Sequence, residues 1–474
     1  MPDPTTSQRD LFKVLAEFFT RATGKTVEQF AALGPFAEVV KANAHSLARK
    51  GEAAFRWVES ELRTHYARAR LEPFKEAANL GGVKTVLGGT SRFLGPQLAS
   101  VRKMALYVDS ILVPDPILPW LEEERKEERF RLVLFLEAVF WLLHLKPLID
   151  TEFPRPPVYL FPSWEHSLDN KDATTQQRQE QLLAAFLSHH IGATGNSFRE
   201  LGEYARTNAA DFLAAVDNKG LFWAPGSEEQ EPLRQGMESY RKYVTTWRSP
   251  EWLKGFATLP ESVAVLYALS ERLAPFYHLL ENSDELGAQP MLCIDSHWFY
   301  YTKLSQVFEG QLLAGDHLDP STIAKLKVLQ APQLSWLENI PLPVLADLRV
   351  QNANADFRMR LDEWTRALHG ASIMDIDRVA REVSAGLSAL LVSHATDAKR
   401  IQSEYQKKHK QTLVTAWTGL AASFIPSLAP FIGAAAPLGL LTKYGWDKIA
   451  ERDALRRAAH SLAGVLAKAQ RHTQ

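Results

Sequence analysis

Residues 411–442 carry no formal charge over thirty-two consecutive positions, and whatever this chain folds into must cover them. The run reads QTLVTAWTGLAASFIPSLAPFIGAAAPLGLLT; twelve side chains are large and apolar, and sixteen residues are Gly, Ala, Ser or Thr. That much apolar surface is unfavourable in water, so the run belongs in a protein core or in lipid. A single membrane span needs about 20 apolar residues. Pro426 and Pro430 fall near the middle of the run and break any helix there. They leave arms 411–425 and 431–442, each short for a span and suited to an apolar helical hairpin that turns at Pro426 and Pro430. The small residues allow the two arms to approach closely.

The flanks separate a span from a hairpin. Residues 399–410 hold five basic and one acidic side chain, and residues 443–474 hold seven basic and three acidic, so each flank carries +4. A single span normally shows a charge bias between its two sides, whereas a hairpin returns both ends to one surface. The basic side chains Lys407, Lys408, Lys410 and Lys443 are placed to anchor at anionic headgroups, and Trp417, Phe424, Phe431 and Ile432 are the expected lipid contacts. The layout is similar to the hydrophobic hairpin of pore-forming colicins, in composition and order alone. The competing reading packs the hairpin as core against a helix over 376–410 and an amphipathic helix over 447–469.

Composition places the rest of the chain. The 474 residues carry 54 basic and 55 acidic side chains, a net charge of −1. Because residues 399–474 sum to +8, residues 1–398 sum to −9. A general nucleic-acid binder would show a basic excess, so no nucleic acid is expected as a partner. The single cysteine, Cys293, excludes an intramolecular disulfide framework and fits a reducing compartment. The polar leader before Leu11 lacks the basic-then-apolar pattern of a signal peptide, and cytoplasmic residence is the expectation.

Helical periodicity runs through most of the sequence. Leu11, Phe12, Leu15 and Phe18/Phe19 mark a first helix, Thr26 caps a second, and Phe130–Leu145 is a core helix. Ser227 is the expected N-cap of a helix over 228–246, and Pro260 opens another over 260–281. Positions from Ile376 to Tyr405 alternate in threes and fours, as a long C-terminal helix does. Prolines 147, 154, 156, 157 and 162 crowd the segment between. The fold class read from this is all-α and multi-helical, with two to three helical subdomains, a long C-terminal helix and the apolar hairpin. Its divisions are an N-terminal helical region 1–147, a Pro-rich boundary 148–162, a helical middle domain 163–345 and a C-terminal helical region 346–474. Within the boundary, Val158–Phe161 has the composition of an isolated strand.

Candidate chemistry is sparse. Gly81-Gly82 and Gly88-Gly89 are not followed by Gly-Lys-Ser/Thr and are expected to have no strand before them, so neither reads as a phosphate loop. Asp109 and Asp115 read as a turn acid and a helix cap. His189 and His190 are adjacent and face different sides of a helix. Asp295 with His297, and His317 with Asp319, give only pairs where a metal needs three or four ligands. Cys293 and His297 are four apart, and Cys293 reads as a buried structural thiol. Arg349, Arg358, Arg360 and Arg366, interleaved with acids near Phe357 and Trp364, read as a solvated helix face. No catalytic residue, metal or cofactor is assigned on this basis. The leading expectation is a non-enzymatic cytosolic effector or interaction protein. Its helical body meets a protein partner, and its C-terminal hairpin binds or enters the inner face of an anionic membrane. The alternatives are a soluble helical scaffold with the hairpin as core, and an enzyme using an Asp/His or Cys/His site.

Overall fold

The computed structural model describes residues 4–361 apart from 68–71, 89–94, 122–127, 163–172, 246, 247, 249, 313–324, 327, 328, 330–336, 339, 351–354, 356, 357 and 360. The expected hairpin, its anchors and the 376–410 helix lie outside the described residues. Elements follow in the order α1 (Pro4–Thr23), α2 (Val27–Ala31), α3 (Phe36–Ala42), α4 (Ala44–Ala67), α5 (Glu72–Asn79), β1 (Lys84–Leu87), α6 (Gly95–Met104) and β2 (Ser110–Pro114). A short 3-10 turn at Leu118–Leu121 leads to α7 (Glu128–Leu143), α8 (Lys146–Asp150), β3 (Val158–Phe161), α9 (Ala173–Ile191), α10 (Phe198–Thr207) and α11 (Ala209–Asn218). Then come α12 (Leu233–Val244), α13 (Pro250–Ala257), α14 (Glu261–Glu285), β4 (Gln289–Met291), α15 (Asp295–Leu312) and α16 (Leu342–Val350).

The described residues are helix-rich, as the all-α reading expects, but they also include a small parallel sheet that it does not. Four strands form one parallel sheet in the order β3-β2-β1-β4. Val86 aligns with Leu112 on one side and with Pro290 on the other, and Ile111 aligns with Val158. β1 therefore directly follows the loop at Gly81-Gly82 and precedes Gly88, where no strand was expected. The sheet joins β1 and β2 from the N-terminal region, β3 from the Pro-rich segment and β4 from the middle region.

Both faces of this sheet are buried, which explains its composition. Successive side chains point to opposite faces. Leu87, Ile111, Val113, Val158, Leu160 and Met291 enter one core, shared with Phe12, Phe18, Phe135 and Phe140 of α1 and α7. Val86, Leu112, Tyr159 and Phe161 enter a second core, shared with Phe186, Leu266, Leu269 and Tyr300 of α9, α14 and α15. A parallel sheet covered on both sides favours apolar residues on both faces, and its strands are mostly short apolar runs, with Lys84, Thr85, Ser110 and Gln289 as polar exceptions.

The β3 edge is closed by a side chain. Gln8 of α1 donates to the Leu160 carbonyl at 2.9 Å and accepts the Leu160 N–H at 3.2 Å, so its amide stands in for a neighbouring strand. At the other edge, Pro290 interrupts β4 with a residue that has no N–H to offer a further strand.

Local signals place most helices. Thr26 and Gln29 form a reciprocal capping box on α2. Gly192, at φ +67°, ends α9. Ser227 does not cap a helix over 228–246: its hydroxyl binds Glu231, and α12 starts five residues later, after Pro232. Pro232 disfavours helical backbone at Glu231, which delays the start.

Candidate functional site

In an open parallel sheet, ligands bind beyond the carboxyl ends of the strands, where neighbouring strands connect in opposite directions. Here that point lies between β1 and β4. The chain runs from β1 to β2 to β3 on one side, while β4 lies on the other. Gly88 follows β1, and Leu292-Cys293-Ile294 follows β4 and leads into α15. Gly88 donates to the Met291 carbonyl at 3.4 Å. A Cβ on Gly88 would come within 2.5 Å of Leu279 Cδ2, so the backbone of β1 is pressed against α14.

Cys293 and His297 do come together here, but not as a thiol and its base. The backbone N–H of Cys293 donates to His297 Nδ1 at 3.4 Å, while the thiol lies 3.7 Å from the Met291 carbonyl. Burial pushes the Cys293 thiol up to about 12, so it is not a thiolate at neutral pH. Burial, assisted by the charge of Arg272, brings His297 down to about 3. The ring is neutral, and because Nδ1 accepts, its proton sits on Nε2. Arg272 of α14 donates to Ser296 Oγ at 3.3 Å, and its guanidinium lies 5.5 Å from the centre of the Tyr300 ring. Ser100 of α6 donates to the Cys293 carbonyl at 3.4 Å.

Asp109 and Asp115 do not form a carboxylate pair. They bracket β2, and five residues of strand separate them by roughly 17–20 Å. Asp115, at the carboxyl end, accepts the N–H groups of Ile117 at 2.8 Å and Leu118 at 3.3 Å and the hydroxyl of Tyr66. It is the cap expected from the prolines beside it. Burial raises its carboxyl pKa, and the hydrogen bonds from Tyr66 and the two N–H groups only partly offset this. A raised folded pKa means that ionised Asp115 costs stability above that value, and the cost fades as pH falls through it. Asp115→Asn keeps an acceptor for both N–H groups and carries no charge. It should therefore equal or exceed the wild type at pH 7, by up to about 1 kcal/mol, whereas Asp115→Ala should lose about 1 kcal/mol or more with the cap. Urea unfolding at pH 7 and pH 4 checks this, the Asn variant's advantage shrinking at the lower pH.

Asp109, at the amino end, is an ion-pair centre rather than a turn acid. Arg358 grips it through two bonds of 2.7 and 2.8 Å, the Val83 N–H donates to it at 2.8 Å, and Arg155 lies 3.8 Å away. Burial alone would raise its pKa, but the bonds from Arg358 and Val83 and the charges of Arg358 and Arg155 hold it below the ordinary value. Beside it, Arg349 donates to the carbonyls of Ala105, Val108 and Asp109. Arg349 and Arg358 are thus not a solvated face: they pin the last described helical segments to the sheet. Sequence spacing hid this, because the partners lie some 240 residues away. Arg360, Arg366, Phe357 and Trp364 lie outside the described residues, as do His317 and Asp319.

Elsewhere, His190 contacts the Lys303 carbonyl at 3.2 Å, and its ring meets that of His189. Among the described residues no group of three or more His, Cys, Asp and Glu side chains is placed to hold a metal, and no helix is long and apolar enough to cross a membrane. No family model, curated protein or solved structure matches this chain. The described residues define only a helix-rich fold around a small parallel sheet.

Proposed function

We propose that this protein is a non-enzymatic effector whose body meets a protein partner or signal and whose C-terminal extension engages the inner face of a membrane. The observation that carries the reading is the uncharged 411–442 run enclosed by two +4 flanks on a chain whose first 398 residues sum to −9. Trp417, Phe424, Phe431 and Ile432 contact lipid, the turn lies at Pro426 and Pro430, and Lys407, Lys408, Lys410 and Lys443 anchor at anionic headgroups.

The body supports this over the scaffold alternative. Its two cores are filled by its own helices and strands. The large apolar side chains it exposes, among the described residues, are Leu33, Val133, Tyr243, Ile294, Val350 and Met359. Among the described residues, six exposed large apolar side chains stand against the twelve of the run.

The test is co-flotation of the full chain with lipid vesicles. Vesicles containing an anionic lipid should carry the protein at low salt. Neutral vesicles should carry much less, and raising the salt through a Debye length of about 3 Å should weaken binding. A chain that stays at the bottom of the gradient with anionic vesicles at low salt overturns the proposal.

A further inference from the structure

Three guanidinium groups share one carboxylate at the amino end of β2. Arg358 holds Asp109 through both oxygens, Arg155 lies 3.8 Å from the same carboxylate, and Arg349 donates to the Asp109 carbonyl. The other bonds of Arg349 go to the carbonyls of Ala105 and Val108, and its buried Nε makes none. Glu152, the acid nearest to Arg155 in sequence, lies 3.7 Å from Arg9. Three cations and one acid sum to +2 here, in a chain whose first 398 residues sum to −9. The excess reaches the surface at Arg155, whose side chain is 52% exposed. Gly82, at φ +86°, lies against both Asp109 and Arg155, where a Cβ would collide with each.

The same place carries exposed apolar side chains. Val350 is 61% exposed and Met359 is 56% exposed, the two highest values for large apolar residues among those described. Each directly follows an arginine bound at Asp109: Arg349 precedes Val350, and Arg358 precedes Met359. A lone exposed apolar residue is ordinary. Two of them beside one basic centre suit a bilayer interface, where apolar side chains enter the headgroup boundary and cations stay at its anionic surface. The described chain also ends here. Leu361, its last residue, is buried three positions after Arg358, and the basic flanks and the uncharged run follow it in sequence.

We infer that the amino end of β2, with Arg155, Val350 and Met359, is the face that the body turns to an anionic lipid surface. Val350 and Met359 enter the headgroup boundary, and Arg155 meets the anionic headgroups. Asp109, gripped by Arg358, keeps these groups in place beside the sheet. The inference rests on the membrane reading of the C-terminal extension and adds to it an orientation for the body. The carboxyl end of the sheet, where Ile294 follows β4 and is exposed, faces away from the lipid.

The test titrates the full chain with vesicles of phosphatidylcholine and phosphatidylserine at low salt and reads affinity from flotation. Val350→Ser combined with Met359→Ser should weaken binding about tenfold. Arg155→Gln should weaken it about fivefold. Ile294→Ser, at the other end of the sheet, should change it by less than about twofold. All three replace exposed side chains, and circular dichroism should stay that of the wild type. Where the wild type floats, unaltered binding of the folded Val350→Ser/Met359→Ser variant overturns this inference alone. So does an equal loss in Ile294→Ser, or, if the double variant does not fold, unaltered binding of Arg155→Gln. A wild type that does not float overturns the membrane reading and this inference with it.

Discussion

Asp109→Ala is expected to lower the unfolding free energy of the body by about 3 kcal/mol, the low end for removing one partner of a buried ion pair. The Asp109 side chain is 13% exposed and that of Arg358 is 22% exposed, so water replaces the lost carboxylate only in part. The same substitution leaves the Val83 N–H, at the threshold of β1, without its acceptor. Arg349 keeps its three carbonyls, so the damage should centre on the attachment of Arg358 beside β2. The pH dependence has a fixed sign. Because the folded pKa of Asp109 is depressed, its contribution is complete above the unfolded carboxyl value of about 4 and is lost as pH falls through the lower folded value. Urea unfolding at pH 7 should therefore separate Asp109→Ala from the wild type widely, and the gap should narrow in strong acid. Equal midpoints at pH 7 would show that Asp109 does not tie these elements together.

The helical part of this architecture is legible in the sequence, because helices announce themselves locally. Thr26 with Gln29, Pro260 at the start of α14 and Gly192 at the end of α9 are signals within one turn of the feature they set. The sheet is not legible. Lys84–Leu87, Ser110–Pro114 and Val158–Phe161 are runs of four or five residues, too short for alternation to distinguish strand from buried helix. Pro290 argues against a strand where β4 lies, and is tolerated only because β4 is an edge. Parallel pairing also joins segments far apart, with Thr85 beside both Ile111 and Gln289. The candidate site divides in the same way. Asp115 was readable from the prolines around it. Cys293 and His297 are four apart in sequence, but the state of each is set by burial, with Arg272 of a different helix adding to it at His297. The pairing of Asp109 with Arg358 had no local signal.

Phe424→Asp is the second large effect, and it concerns the C-terminal extension. Withdrawing a Phe from lipid loses about 1.5–3 kcal/mol, and placing an Asp there costs about 2.5–3.5 kcal/mol more. Together these correspond to a loss of vesicle binding of roughly a thousandfold or greater. If the run were instead core, the same substitution would bury an unpaired carboxylate and destabilise the fold itself. The two readings differ in which property fails. The most direct measurement is to take wild-type and Phe424→Asp chains through flotation on anionic vesicles and through circular dichroism in the same low-salt buffer. The membrane account predicts that the wild type floats, that the variant stays behind, and that the two have the same helical content and unfolding midpoint. A variant that unfolds, or a wild type that never leaves the bottom of the gradient, would contradict it.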